Sequence, residues 1–454
     1  MLRLHDTALG RVEPFVPREE GRVSMYVCGP TVYGEPHVGH GRFALVFDIL
    51  RRYLRWSGLE VTYVSNITDV DDKIITRAIA EGRPAADVAL AAEKLWWDAM
   101  EGLAVERPDH VPHATDYIAE MIGLIQSLAA RGLAYETSDG VYLAAEQIPG
   151  YGLLALQSLG SMRSGTRAEV TEEKRSPVDF ALWKKAKPGE PEWQSPWGPG
   201  RPGWHTECVV MSVDKLGPEF DLHGGGLDLR FPHHENERAQ AVGMGFPFSR
   251  RWMHNGLVVD QDGRKMSKSE GNTLSLSDLL ARYDGRAYRM LVLQSSYRSP
   301  LRVGETGLRR AAETLVRLDT FAGRTAGLEP ARPSLEVVRR FVERMDDDLN
   351  TPEAMAIVFE LVTEGNRALD AGQQSRASEA VASVRHLCAA VGLDLRARAV
   401  EIDAHAASLV AERDRARAAQ DFGRADQLRA ELMARGWMVE DGAEGTEVRR
   451  KPEL

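Results

Sequence analysis

Between residues 22 and 70 the chain reads as strand, helix and strand, and that succession constrains the fold more than any other feature. RVSMYVCG (22 to 29) is apolar and β-prone and stops at Gly29-Pro30, which predicts a buried strand. From about Gly39 the apolar residues Phe43, Leu45, Val46, Ile49, Leu50 and Leu54 recur near the helical period, which predicts a helix with one core-facing side. EVTYVSNITDV (60 to 70) predicts the second strand. Strand, crossover helix and strand within roughly fifty residues make a βαβ unit, and such units build parallel sheets.

At 454 residues the chain exceeds one compact core, so roughly two to four domains are expected. Residues 76 to about 135 are mostly helical by pattern. Residues 136 to 200 are mixed, and KKAKPGEPEWQSPWGPGRPGW is loop-rich through its prolines and glycines, as an insertion between two halves of a nucleotide fold would be. FDLHGGGLDLRFPHHENERAQAVG returns to strand, loop and helix, and RWMHNGLVVDQDGRKMSKSEGN reads as a strand pair followed by a basic loop. From about 305 the spacing predicts a helical bundle, then from about 402 a helix pair with a short strand-like tail.

No apolar run is long enough to cross a bilayer, and MLRLHDTALGRVEPF lacks the apolar stretch of a secretory signal. Three cysteines, Cys28, Cys208 and Cys388, form an odd and sparse set that fits a reducing cytoplasm rather than a disulfide framework. The net charge of −10 does not suggest a generic nucleic-acid binder. A local basic patch would still suffice to meet phosphates.

Cys28 alone reads as a small core residue. GWHTECVVMS adds Cys208, and FPHHENERAQ adds His233 with Glu237 four positions on. If 233 to 238 opens a helix, those two side chains share a face. Two thiolates, an imidazole and a carboxylate can wrap zinc. The plainer reading of HHENE is a solvated helix start with acids at its positive end. His234 is a competing ligand, and spacing does not choose between the two histidines. Cys388, in SVRHLCAAVG, reads as core packing.

HVGH (37 to 40) falls at the strand-to-helix junction, where free N–H groups favour phosphate. Gly39 allows close approach to the backbone. KMSKS (265 to 269) offers Lys265 and Lys268 as point charges for a triphosphate. Either motif alone is weak; the two together, joined by a βαβ pattern, point to an ATP site.

That pairing resembles the signature of class I aminoacyl-tRNA synthetases. MYVCGPTVYGEPHVGHGR, VTYVSNITDVDDKI, GWHTEC, DLHGGGLDLRFPHHENE, DDDLNTPEA and RDRARAAQDFGRADQLRAEL followed by VEDGAEGTEVRR are similar to the cysteinyl-tRNA synthetase family over essentially the whole chain. Three stretches depart from its pattern: Val38 stands where isoleucine is usual, GWHTECVVMS replaces a more usual Ile-Glu-Cys-Ser run, and the tail has GTEVRR where a tryptophan is common.

The resemblance implies an α/β fold: a Rossmann-like parallel-sheet catalytic domain with an insertion, then an α-helical bundle and a small C-terminal anticodon-binding domain. Its boundaries would be 1–120 and 201–255 for the catalytic halves, 121–200 for the insertion, 256–305 for the KMSKS stem-contact region, 306–400 for the tRNA-binding bundle and 401–454 for the anticodon-binding end. It implies one Zn2+ per chain on Cys28, Cys208, His233 and Glu237, which favours His233 over His234. It places ATP, with Mg2+, on His37, Gly39, His40, Lys265, Met266, Ser267, Lys268 and Ser269. His37, His40, Lys265 and Lys268 would be catalytic, with Lys268 the main phosphate contact. Gly29, Thr68, Trp204, His223 and Asp228 would form the substrate pocket.

The expected reaction joins L-cysteine to tRNA(Cys) through cysteinyl-adenylate, in a cytoplasmic monomer without membrane contact. Arg309, Arg310, Arg413, Arg415 and Arg417 are candidate phosphate contacts, each also readable as a solvated helix face. One rival is a cysteine:amino-sugar ligase of the same ancestry, which should lack the anticodon-binding end. Another is a non-catalytic, synthetase-derived RNA-binding protein, which would not need intact HVGH, KMSKS and four donors.

Overall fold

The computed structural model describes residues 1–156, 173–266, 273–397, 404–442 and 445–450. The chain divides into two compact units: 1–281 with 295–304 and 346–350, and 282–294 with 305–345 and 351–454.

The first unit is organised by four parallel strands. The elements that frame the site are β1 (Arg22–Val27), α1 (Val38–Trp56), β2 (Glu60–Val64), α2 (Trp204–Leu216), β3 (Leu222–Gly226), α3 (Glu235–Met244) and β4 (Trp252–Asn255). The sheet order is β4-β3-β1-β2, with Met25 opposite Leu222 on one side and Tyr63 on the other. The expected βαβ unit is therefore present. Met25, Tyr26 and Val27 are fully buried, as interior strands of a covered parallel sheet require. The buried face of α1 includes Leu45, Val46, Ile49, Leu50 and Leu54.

From β1 the chain runs to β2 on one side and later returns to β3 on the other. β1 and β3 are neighbours at a point where the winding reverses, so their carboxyl ends leave a crevice for ligands. Cys28 and Gly29 continue β1 into that crevice, and Asp228 follows β3.

Three helices, Asp72–Glu81, Ala85–Gly102 and Ile118–Ala130, fill the stretch read as helical. An antiparallel sheet then forms from Ala134–Glu136, Gly140–Leu143, Phe180–Lys185 and Gly200–Pro202, in chain order. One expectation fails after β4. Its neighbour Val258–Val259 does not pair with it; β4 lies on β3, and Val258–Val259 runs parallel to Leu301–Arg302. Asn255-Gly256 reads as a hairpin turn, but Gly256 N–H donates to Tyr297 O and Leu257 O accepts from Leu301 N–H, so the chain turns out of the first sheet to a different partner.

The second unit is helical, with Glu305–Arg324, Leu335–Met345, Thr351–Asp370 and Gln374–Ala390. Leu308, Ala311, Leu315, Leu318 and Ala322 recur at three- and four-residue steps and are buried. Cys388 is buried, with its thiol pushed up to about 12, first by burial. Helices Ala404–Ala418 and Phe422–Ala434 pack with the hairpin Trp437–Gly442 and Gly445–Arg450 around Leu409, Leu428, Leu432 and Trp437. Among the described residues no helix is long and apolar enough to cross a membrane.

Candidate metal and nucleotide site

Cys28 extends β1, Cys208 lies in α2, His233 precedes α3 and Glu237 sits in its first turn. All four are at most 2% exposed. Cys28 Sγ lies 3.7 Å from Cys208 Sγ and 3.3 Å from Glu237 Oε1. Cys208 Sγ is 3.5 Å from His233 Nε2, which is 3.0 Å from Glu237 Oε1. The four donor atoms fall within 4.8 Å of one another. Tetrahedral bonds of about 2.0–2.3 Å set ligand atoms roughly 3.3–3.8 Å apart, so the set fits a zinc ion closely. HHENE is therefore not a solvated helix start: Glu235, Asn236 and Glu237 are all buried.

The electrostatics match a site built for a cation. Burial pushes the Cys28 thiol up, reinforced by its hydrogen bond and proximity to Cys208 and by Glu237. Burial also opposes the Cys208 thiolate, but the Cys28 hydrogen bond and the charge of His233 outweigh it and bring Cys208 down to about 6. Burial alone would lower His233; Glu237 and Cys208 lift it to about 10. In the metal-free protein a proton on His233 balances these buried anions.

His234, the rival ligand, is also buried, with Nδ1 2.8 Å from His254 Nε2. Its ring belongs to a second grouping with Cys28, His223 and Glu237. His223 is buried beside the four donors, with Nε2 2.8 Å from Glu237 Oε2. The Thr68 hydroxyl donates to Glu207 Oε2 at 2.6 Å and accepts from Asn66 Nδ2.

The nucleotide residues meet across a cavity of about 490 Å³ that opens beside the donors. His37 is the N-cap of α1: its Nδ1 accepts the Gly39 N–H at 3.0 Å, while its own N–H donates to His40 Nδ1 at 3.1 Å. The rings stack with centroids 3.9 Å apart. Since each Nδ1 accepts, each neutral ring carries its proton on Nε2. A Cβ on residue 39 would fall 2.8 Å from the His37 ring, so only glycine allows this imidazole cap. Gly29, Trp204, Asp228, Lys265 and Met266 also line the cavity, as the sequence leads one to expect. Trp204 stacks on His233 at 4.2 Å between centroids. Ser267, Lys268 and Ser269 lie outside the described residues.

Sequence reasoning missed Tyr33, Lys73, Trp96 and Asn255, which line the same cavity. Asp71 is a recognisable N-cap for the helix that carries Lys73, but nothing in the pattern says which way that helix faces. In the second unit, Arg309, Arg310 and Arg415 are exposed. Arg413 is buried instead and holds Thr446 Oγ1 at 2.5 Å and Asp441 at 2.7 Å, so it cannot present its charge to a phosphate.

Residues 14–313 match the tRNA synthetases class I (C) catalytic domain, 340–396 the DALR domain and 399–449 the cysteinyl-tRNA ligase anticodon binding domain. The Cysteine–tRNA ligase of Halorhodospira halophila is 48% identical over 461 residues, covering 99% of this chain and 100% of that protein. The one from Alkalilimnicola ehrlichii is 46% identical, with 99% and 100% covered. Among solved structures, Mycobacterium tuberculosis methionyl-tRNA synthetase with methionyl-adenylate is similar in fold, with a TM-score of 0.60, 16% identity, and 82% of this chain and 89% of that chain covered.

Proposed function

The chain belongs to the cysteine–tRNA ligases of the class I synthetases, and from that membership we propose how its residues divide the reaction. It is an aminoacyl-tRNA ligase whose substrates are ATP, an amino acid and tRNA. The amino acid is L-cysteine, the acceptor is tRNA(Cys), and the protein works as a cytoplasmic monomer. Three thiols, none of them in a disulfide, support a reducing compartment.

Cys28, Cys208, His233 and Glu237 would hold Zn2+. Zinc there supplies a soft Lewis acid that takes a thiolate far better than a hydroxyl, which a cavity sorting by size alone does not achieve between cysteine and serine. His223 keeps Glu237 oriented through Oε2. Trp204 walls the pocket, Gly29 lets the Asn66 backbone lie close against the end of β1, and Asp228 meets the substrate ammonium or a ribose hydroxyl. The cysteine carboxylate then attacks the α-phosphate of Mg2+-bound ATP and pyrophosphate leaves. His37 and His40 present Nε2–H to the phosphates, and Lys265 offsets the charge that grows on them. Lys268 has the same role. No protein nucleophile is needed; the residues position and stabilise. In the second step the terminal ribose hydroxyl of tRNA takes the cysteinyl group as an ester and AMP leaves.

Residues 1–120 and 201–255 are the catalytic halves, 121–200 the insertion and 256–305 the region that meets the acceptor stem. The bundle 306–400 and the end 401–454 carry the tRNA and its anticodon, with Arg309, Arg310 and Arg415 as exposed phosphate contacts.

The observation that carries this reading is the convergence of four metal donors beside the imidazole cap, at one crevice of the sheet. Cysteine-dependent pyrophosphate exchange and metal content, measured on the wild type and on Cys208→Ser, test it. The wild type should hold about one zinc, and the variant should lose both metal and exchange. Label transfer to tRNA rather than to an amino sugar identifies the acceptor. An active, metal-free Cys208→Ser protein would refute the zinc role.

A further inference from the structure

Arg42 lies two residues beyond His40 in α1 and is 1% exposed. Its guanidinium reaches five backbone carbonyls. Nη1 donates to Gly256 O at 2.9 Å and Leu257 O at 2.8 Å; Nη2 donates to Ser296 O at 3.2 Å, Tyr297 O at 3.0 Å and Ser299 O at 2.5 Å.

The two carbonyl-bearing segments are also bonded to each other. Gly256 N–H donates to Tyr297 O at 2.8 Å, and Leu301 N–H to Leu257 O at 2.9 Å. A Cβ at 256 would fall 2.5 Å from the Arg298 and Ser299 oxygens, so glycine is what lets them close around the guanidinium. From Leu257 the chain enters Val258–Val259. There Lys265 is bridged to Val259, and Met266 N–H donates to Val258 O at 3.2 Å. Gly256, Leu257 and Val258 line the cavity, whereas Arg42 does not. One buried side chain thus joins the helix that carries His37 and His40 to the ladder that carries Lys265.

We propose that Arg42 is a positioning residue for the ATP half-reaction, fixing the separation between the His37–His40 cap and Lys265; this rests on the reading of those residues as the nucleotide site. The forked guanidinium is suited to the task. Its fixed planar donors reach both carbonyl sets at once, while an ammonium has three donors on a single point and cannot span them. A displacement of the order of 1 Å between the two phosphate-binding halves is enough to cost about a hundredfold in rate.

The test uses full-length Arg42→Lys and Arg42→Gln proteins. The adenylate burst counts competent sites, and cysteine-dependent pyrophosphate exchange is then expressed per competent site. The expected result is a rise in the KM for ATP or a fall in kcat of at least about tenfold, with the KM for cysteine and the metal content unchanged. Fewer competent sites with unchanged constants per site would mark a purely stabilising arginine and overturn the proposal. So would equal damage to the ATP and cysteine constants, or failure of both variants to fold. Lys265→Ala and His40→Asn are assayed alongside. If they leave the ATP kinetics intact, the nucleotide reading fails and this inference with it; if they are impaired while the Arg42 variants are not, only the positioning role fails.

Discussion

At one end of the cavity four donor side chains are sealed in the core, packed against each other. At the other, Lys265 stands exposed and His37 and His40 are half-buried at a helix start. On the proposed reading the first end sorts a small side chain by bonding chemistry, which would profit from rigidity and dryness. On the same reading the second would receive a large, solvated polyanion, with backbone N–H groups, a fixed tautomer and point charges that can follow the phosphates. Damage to the sealed end should therefore remove function outright, while damage to the open end should be graded.

Cys208→Ser gives the largest effect. Loss of a thiolate from a buried set is expected to cost at least about a thousandfold in exchange, with the metal lost as well. Metal analysis of the purified variant checks this. Lys265→Ala should come next, with exchange down about a hundredfold through weaker charge stabilisation and the metal fully retained. Metal loss in that variant would erase the contrast between the two ends. His223→Asn removes the group that orients Glu237, and a tenfold to hundredfold loss of metal affinity is expected, of the order seen when such supporting partners are changed. Competition with a chromogenic chelator measures it.

Acid sharpens the comparison more gently. The Cys208 thiol lies at about 6 in the metal-free protein, so its thiolate is present above that pH and lost below it. Metal affinity should already decline as pH falls toward 6, because loading displaces a proton from His233, and the decline should steepen by up to about tenfold per unit below pH 6, where Cys208 is protonated too. His233 lies at about 10 in the metal-free protein, so loading near pH 8 should also release a proton. Calorimetry in two buffers of different ionisation enthalpy detects that release; an affinity flat from pH 7 to 5 would contradict the assignment to Cys208.

The regular parts of the site were legible because local pattern determines them. β1, α1 and β2 follow from apolar runs and helical period, and His37 and Gly39 mark a helix start that the chain itself spells out. Convergence is different. Cys28 and Cys208 are 180 positions apart; residue type made them candidates with His233 and Glu237, and only the resemblance, not spacing, chose His233 over His234. Thr68 and His223 are each bonded to another buried side chain, Glu207 and Glu237, and such pairings are tertiary facts that no local pattern reports. Lys73 and Trp96 enter the cavity from helices whose facing no periodicity could report. Arg413 looks like any surface arginine in RDRARA, yet the hairpin closes over it.

The spread of the four donors also has a mechanical consequence. An ion among them would act as a cross-link, tying a loop of 180 residues between Cys28 and Cys208 and one of 25 between Cys208 and His233. Cross-links of that span restrict the unfolded chain most, and metal bound only by the folded state lends its binding free energy to folding. Stripping the ion should thus loosen the sheet end as well as blunt substrate choice, and the first unit should melt at a lower temperature while the helical unit keeps its own transition.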